Sequence, residues 1–274
     1  GAISSTILNI SMIIFSILGF LILKVSIIWA LIFGFIFGVI SRFFLQLRLG
    51  YKFFKTFSLG DKFLFNFNFL KVFAGNFGFS TALTILPIIS RSFASKFDSG
   101  SITLFTYSHK ILVLPLAVIM GSFTTVLLPY ISKKENLNQI NKVIRRVFYL
   151  SLFLSITAFI ISPTFISLTF KYTGLNDNQL NILKEITSTG FLFLTPMSIT
   201  SIYGIKYAAE RNTLPLFLCG FIMVGSLLII SPRLSQIWAL NGVISSYGIS
   251  HLLGAFFMFI WDNNLINLKK IRNL

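Results

Sequence analysis

Residues 101–131 read SITLFTYSHKILVLPLAVIMGSFTTVLLPYI, an apolar run broken by one histidine, His109, and one lysine, Lys110. A helix rises 1.5 Å per residue, and roughly 20 apolar residues cross a hydrocarbon core about 30 Å thick. The run is longer than one simple crossing requires, so it predicts a membrane-spanning helix that tilts or kinks. Pro115 and Pro129 lie inside it, and each removes an intrahelical hydrogen bond.

The rest of the chain has the same character. Of 274 residues, 55% are hydrophobic and 11% charged, whereas an ordinary soluble domain carries about a quarter charged residues. Apolar runs recur as far as Met258, so they are neither a signal peptide nor a single anchor. The lone cysteine, Cys219, lies within an apolar run and offers neither a disulfide framework nor a cysteine metal site. The net charge of +16 does not point to nucleic acid, because the basic residues punctuate apolar runs instead of forming one solvated face. In a membrane protein such an excess belongs to cytoplasmic loops that meet anionic headgroups.

Apolar runs set against polar breaks give an all-α polytopic protein with about eight spans. These cover approximately residues 6–23, 27–45, 69–93, 101–131, 147 to beyond Pro163, 182–205, 214–230 and 237–260. A basic, aromatic segment holding Arg48, Lys52, Lys55 and Lys62 follows the second span and suits the headgroup level. Pro196 is expected to bend the sixth span. Eight crossings put Lys24, Arg91, Lys96, Lys171, Lys184 and Arg233 on one side and leave Lys110 inside a span. The other sixteen of the 23 basic residues fall on the opposite side, which places both ends of the chain in the cytoplasm.

Lys110 is the most informative single residue. Nine positions into its span, it lies about 13 Å from the span's end, too deep for easy snorkelling. A cation at that depth faces a cavity, a partner or a backbone carbonyl, and no carboxylate shares its span. An unpaired cation in a cavity suits an anionic ligand such as a phosphate. His109 adds a titratable neighbour.

Other signals are weaker. The prolines are tolerated generally in membrane helices, and Ser198, Ser201 and Gly204, like Gly34 and Gly38, read most simply as close helix packing. Asp98, Glu135, Asp177, Glu185, Glu210 and Asp262 fall at span ends or connections and read as solvated. Two histidines and seven scattered acids form no HExxH, GxSxG or phosphate-binding glycine loop, so neither an enzyme, a metal site nor a cofactor is expected.

The stretch from Gly100 to Lys133 resembles the most recognisable part of the MurJ/MviN family. The matching positions are Gly100, Ser101, Tyr107, Lys110, Pro115, Thr125, Val126, Leu127, Leu128, Pro129, Ser132 and Lys133. LNISMI at residues 8–13 agrees as well, and KYAAERNTLP at 206–215 is similar to the family's Tyr-x-x-Arg-x-Asp-Thr-x-x-Pro link. Arginine is usual where Lys110 stands, and an acidic residue where His109 stands. Lysine keeps the charge but loses the planar fork that suits a diphosphate.

The resemblance implies a lipid-linked oligosaccharide flippase of the bacterial cytoplasmic membrane, built from two six-helix lobes and two further helices, with a cationic cavity between the lobes. On that basis residues 1–46 are the last two helices of the N-lobe, 47–66 a basic linker, 67–262 the complete C-lobe and 263–274 a basic tail. Gly1 stands where Met would be expected, and four further helices are expected upstream. The implied substrate is an undecaprenyl-diphosphate-linked peptidoglycan precursor resembling lipid II, held through Lys110 and His109 and flipped by alternating access. The alternatives are another polysaccharide-repeat or drug exporter of the same superfamily, or a structural membrane subunit.

Overall fold

The computed structural model describes residues 10–15, 17–19, 27–56, 67–132 and 137–272. The chain divides into two compact units, Gly1–Leu64 and Phe65–Leu274. In the first, helix α1 covers 10–15 and 17–19, and α2 covers Ile27–Thr56. Glycine lets the two backbones approach, since a Cβ on Gly34 would lie 2.9 Å from Phe15 Cβ and 3.0 Å from Met12 Cα. The outer surface of α2 carries Trp29, Phe33, Phe37 and Phe44, as a helix bathed in acyl chains would. The helix continues through Arg48 to Thr56, so its backbone stays hydrogen-bonded well past Leu45, where the apolar run ends.

The second unit is a bundle of α3 (Phe67–Ala94), α4 (Ser101–Ser132), α5 (Leu137–Phe170), α6 (Asp177–Phe191), α7 (Leu194–Ala209) and α8 (Leu214–Arg272). Four stretches in the described residues are long and apolar enough to cross a membrane: Leu70–Ala94, Ser101–Gly121, Asn141–Phe170 and Leu214–Asn263. The last has 50 residues, more than twice the roughly 20 that one crossing needs. Non-helical backbone at Trp238 and Ala239 divides α8 into limbs 214–237 and 240–272, corresponding to the seventh and eighth spans.

The sixth span departs from expectation. It is not one helix bent at Pro196 but two short helices that meet at Leu192 and Phe193. Proline lacks an N–H and suits a helix's first turn, so a new helix starts two residues before it instead of bending around it. Phe193 N–H donates to the Gly190 carbonyl at 3.0 Å, closing α6, and Met197 N–H donates to the Phe193 carbonyl at 3.1 Å, opening α7. At the other end of α6, Asn176 and Gln179 form a reciprocal capping box.

Large apolar side chains face outward: Val118 is 70% exposed, Leu168 72% and Phe221 73%. Serines and threonines lie inside, many bonded to the carbonyl one turn back, as Ser90 to Leu86, Ser198 to Leu194 and Ser250 to Ser246. This inversion suits a bilayer, where apolar faces meet lipid and small polar residues allow close packing. Gly204 belongs to that packing, since a Cβ there would approach Phe79 Cε1 to 2.6 Å and hold α7 off α3.

Candidate functional site

The geometry of α4 sorts its residues onto two faces. Leu104, Phe105, Ser108 and Leu112 are buried against the bundle, while Thr103, Tyr107, Lys110, Leu114 and Val118 are exposed along the opposite stripe at helical spacing. Lys110 therefore points away from its own bundle. It makes no hydrogen bond or ion pair with any described residue, so its charge satisfies no carbonyl among them. Tyr107 on the same stripe rests against Phe170 of α5, with ring centroids 5.4 Å apart.

His109, one residue earlier, turns the other way. Its Nε2 lies 3.2 Å from Tyr247 Oη on the second limb of α8, and its ring stacks on Phe105 at 6.2 Å. Adjacent in sequence, His109 and Lys110 thus serve different surroundings: one joins α4 to α8, the other leaves the bundle. Tyr247 in turn meets His251 edge to face at 5.0 Å. Neither Tyr247 nor His251 emerged from the sequence as a site residue. Their signal was the YGISH spacing, which puts the two rings on one helix face.

A second polar feature lies toward the C-terminal ends of α7 and α8 and corrects the reading of Asp262 as a solvated acid. Asp262 is 6% exposed and Lys206 3% exposed; Lys206 Nζ lies 2.5 Å from Asp262 Oδ1, and Tyr207 Oη donates to the same oxygen at 3.1 Å. The two partners are 56 residues apart, and the pairing appears only once α8 has folded back over α7. Lys206 likewise leaves the solvated loop to which alternation of loops assigned it. Asp98, Asp177, Glu185 and Glu210 are exposed, as that reading expects, and Glu135 lies outside the described residues.

Two of the cavities that open on the bundle lie beside polar groups. One of about 560 Å³ lies beside the ion pair, lined by Arg145, Phe148, Thr195, Tyr203, Phe256 and Asp262. The other, about 630 Å³, sits at the break in α8 between Asp98, Ser101, Glu185, Thr189, Trp238 and Asn241. No group of three His, Cys, Asp or Glu residues within metal-binding reach occurs among the described residues.

Comparison with known proteins gives a consistent picture. The family model described as lipid II flippase MurJ matches residues 1–268. Among solved structures, a lipid II flippase MurJ in an inward closed conformation superposes with a TM-score of 0.74 and 22% identity, covering 96% of this chain and 56% of that one. A mutant of the Vibrio cholerae MATE transporter VcmN superposes with a TM-score of 0.70 and 12% identity, covering 95% of this chain and 61% of that one. At such identities the superpositions establish the fold, and the chain spans little more than half the length of these structures. No curated protein matches in sequence.

Proposed function

Because this chain belongs to the MurJ lipid II flippase family, we propose that the protein carries an undecaprenyl-diphosphate-linked peptidoglycan precursor, lipid II or a close relative, across the bacterial cytoplasmic membrane. The acyl tail can remain in the bilayer throughout. Only the sugar and diphosphate head need a polar route, because moving ionised groups through hydrocarbon unaided is prohibitively costly.

The observation that carries this reading is the position of Lys110: at mid-depth on α4, exposed, and without a partner among the described residues. A cation so placed lowers the cost of bringing a diphosphate to that depth. Lysine acts there as a point charge that tolerates several geometries of the phosphates, where arginine would impose a fork. Alternating access would present Lys110 first to the cytoplasmic side and then to the outer one, with both ends of the chain cytoplasmic as the distribution of basic residues favours.

Rescue of cells depleted of their lipid II flippase tests the proposal. The full-length gene, and the gene with Lys110→Arg, should restore growth. Lys110→Ala should fail at equal membrane abundance. A wild-type protein that inserts but does not rescue would favour the second reading, export of another amphiphile by the fold shared with the MATE transporter. Stoichiometric copurification with a larger complex would instead favour a structural subunit.

A further inference from the structure

Both histidines of the chain lie in apolar helices, and the fold brings them to one place. His109 of α4 meets the Tyr247 hydroxyl, and Tyr247 meets His251 one turn further along α8. His251 is 4% exposed, and neither Nδ1 nor Nε2 has a hydrogen-bond partner among the described residues. An imidazole always presents at least one N–H, and each polar atom left unpaired in an apolar interior costs about 1–3 kcal/mol. A leucine or phenylalanine would fill comparable volume without that cost. A titratable group retained at membrane depth in this condition is a mark of function.

The groups that face the cluster come from four helices. Arg91, in the last turn of α3, acts on His109 through its charge and keeps its own buried Nε unpaired. On α4, the Ser108 hydroxyl is buried without a partner, and Lys110 sits beside His109 but points outward. From α7, the Thr200 hydroxyl donates to the His251 carbonyl at 3.1 Å. The fourth helix, α8, supplies Tyr247. These groups are neutral or cationic, so a proton gained here meets no counter-charge among the described residues and favours an arrangement in which water reaches the rings. The contact between α4 and α8 is slight, which leaves room for such a separation.

We propose that the His109–Tyr247–His251 cluster is a proton-binding site that couples proton movement to displacement of α4 against α8. One proton adds to a ring nitrogen of His251, giving an imidazolium, and leaves again when the helices return. The His109–Tyr247 hydrogen bond reports the closed arrangement. Because Lys110 follows His109 on the same rigid turn, any displacement of one displaces the other. The coupling role rests on the transporter reading above; proton binding itself does not.

Two measurements on the full-length protein separate these. In lipid nanodiscs with ¹⁵N-labelled histidine, a resonance that disappears in His251→Gln should pass from neutral to cationic as the pH falls from about 8 to about 5 in the wild type, the range in which histidine titrates once the helices separate and water reaches the ring. A ring that stays neutral throughout would overturn the proposal. In proteoliposomes carrying a fluorescent polyprenyl-diphosphate lipid, an imposed pH gradient at zero membrane potential should change the wild-type flipping rate at least fivefold. In His251→Gln the ratio of rates with and without the gradient should fall to one, and Tyr247→Phe should reduce it. Equal gradient dependence in wild type and His251→Gln, with both folded by thermal melting, would also overturn it. No flipping by wild type under any condition would refute the transport reading, and the titration would still decide whether the site binds a proton.

Discussion

Lys110 and Lys206 are both lysines in apolar helices, yet the molecule treats them oppositely. Lys206 is enclosed, held by Asp262 at 2.5 Å, and lies over the rings of Tyr203 and Tyr207 at 5.8 and 5.7 Å. Lys110 is exposed and makes no polar contact with any described residue of its bundle. A charge that a fold has fully answered serves the fold; one left unanswered is available to something else. Depth in an apolar helix therefore does not by itself identify a binding residue. The decisive property is whether the lobe supplies the counter-charge.

The largest expected effect follows on the enclosed side. Lys206→Met should cost about 3–5 kcal/mol of stability, read by thermal unfolding in nanodiscs, because it strands Asp262 in the interior. The double variant Lys206→Met/Asp262→Leu should recover most of that loss; failure to recover would mean that the pair does more than neutralise itself. Against this, Lys110→Ala should change stability by less than about 0.5 kcal/mol, as substitution of an unpartnered exposed residue usually does. A large destabilisation by Lys110→Ala would dissolve the contrast between the two lysines.

Smaller effects test the frame that holds both lysines in place. A Cβ on Gly75 would come within 2.5 Å of the Thr213 carbonyl oxygen, and backbone cannot swing aside as a side-chain tip can. Gly75→Ala should therefore destabilise by about 1–3 kcal/mol, with the α3–α8 contact loosened in hydrogen exchange. Ala239 at the break in α8 has φ 48° and ψ −128°, a region that glycine adopts far more easily. Ala239→Gly should raise stability by about 0.5–1 kcal/mol in the same melting assay.

Much of this was legible in the sequence, for reasons that also explain the failures. The α4 run announced itself through length and hydropathy, and Lys110 through its isolation within that run, both local properties. The break in α8, at Trp238 and Ala239, falls two residues inside the run assigned to the last span, close to the polar gap the sequence shows at 231–236. The sixth span was harder, because a proline tells that a helix is interrupted but not on which side: with Pro196 in the first turn of α7, the interruption lies at 192–193. Asp262 was misread because its position near the end of an apolar run resembles that of a solvated acid. Only the return of α8 over α7 brings Lys206 to it. Tyr247 and His251 escaped notice similarly, since the spacing that aligns them says nothing about His109 arriving from α4.

The central claim is that Lys110 is unanswered by the described residues of its lobe because a diphosphate answers it. The most direct test is the affinity of the full-length protein in nanodiscs for a polyprenyl diphosphate and for the uncharged polyprenol of the same chain length, with wild type and Lys110→Ala. The account predicts that alanine weakens diphosphate binding at least tenfold, about 1.4 kcal/mol or more, and leaves polyprenol binding unchanged. Equal diphosphate affinity in wild type and Lys110→Ala would contradict it.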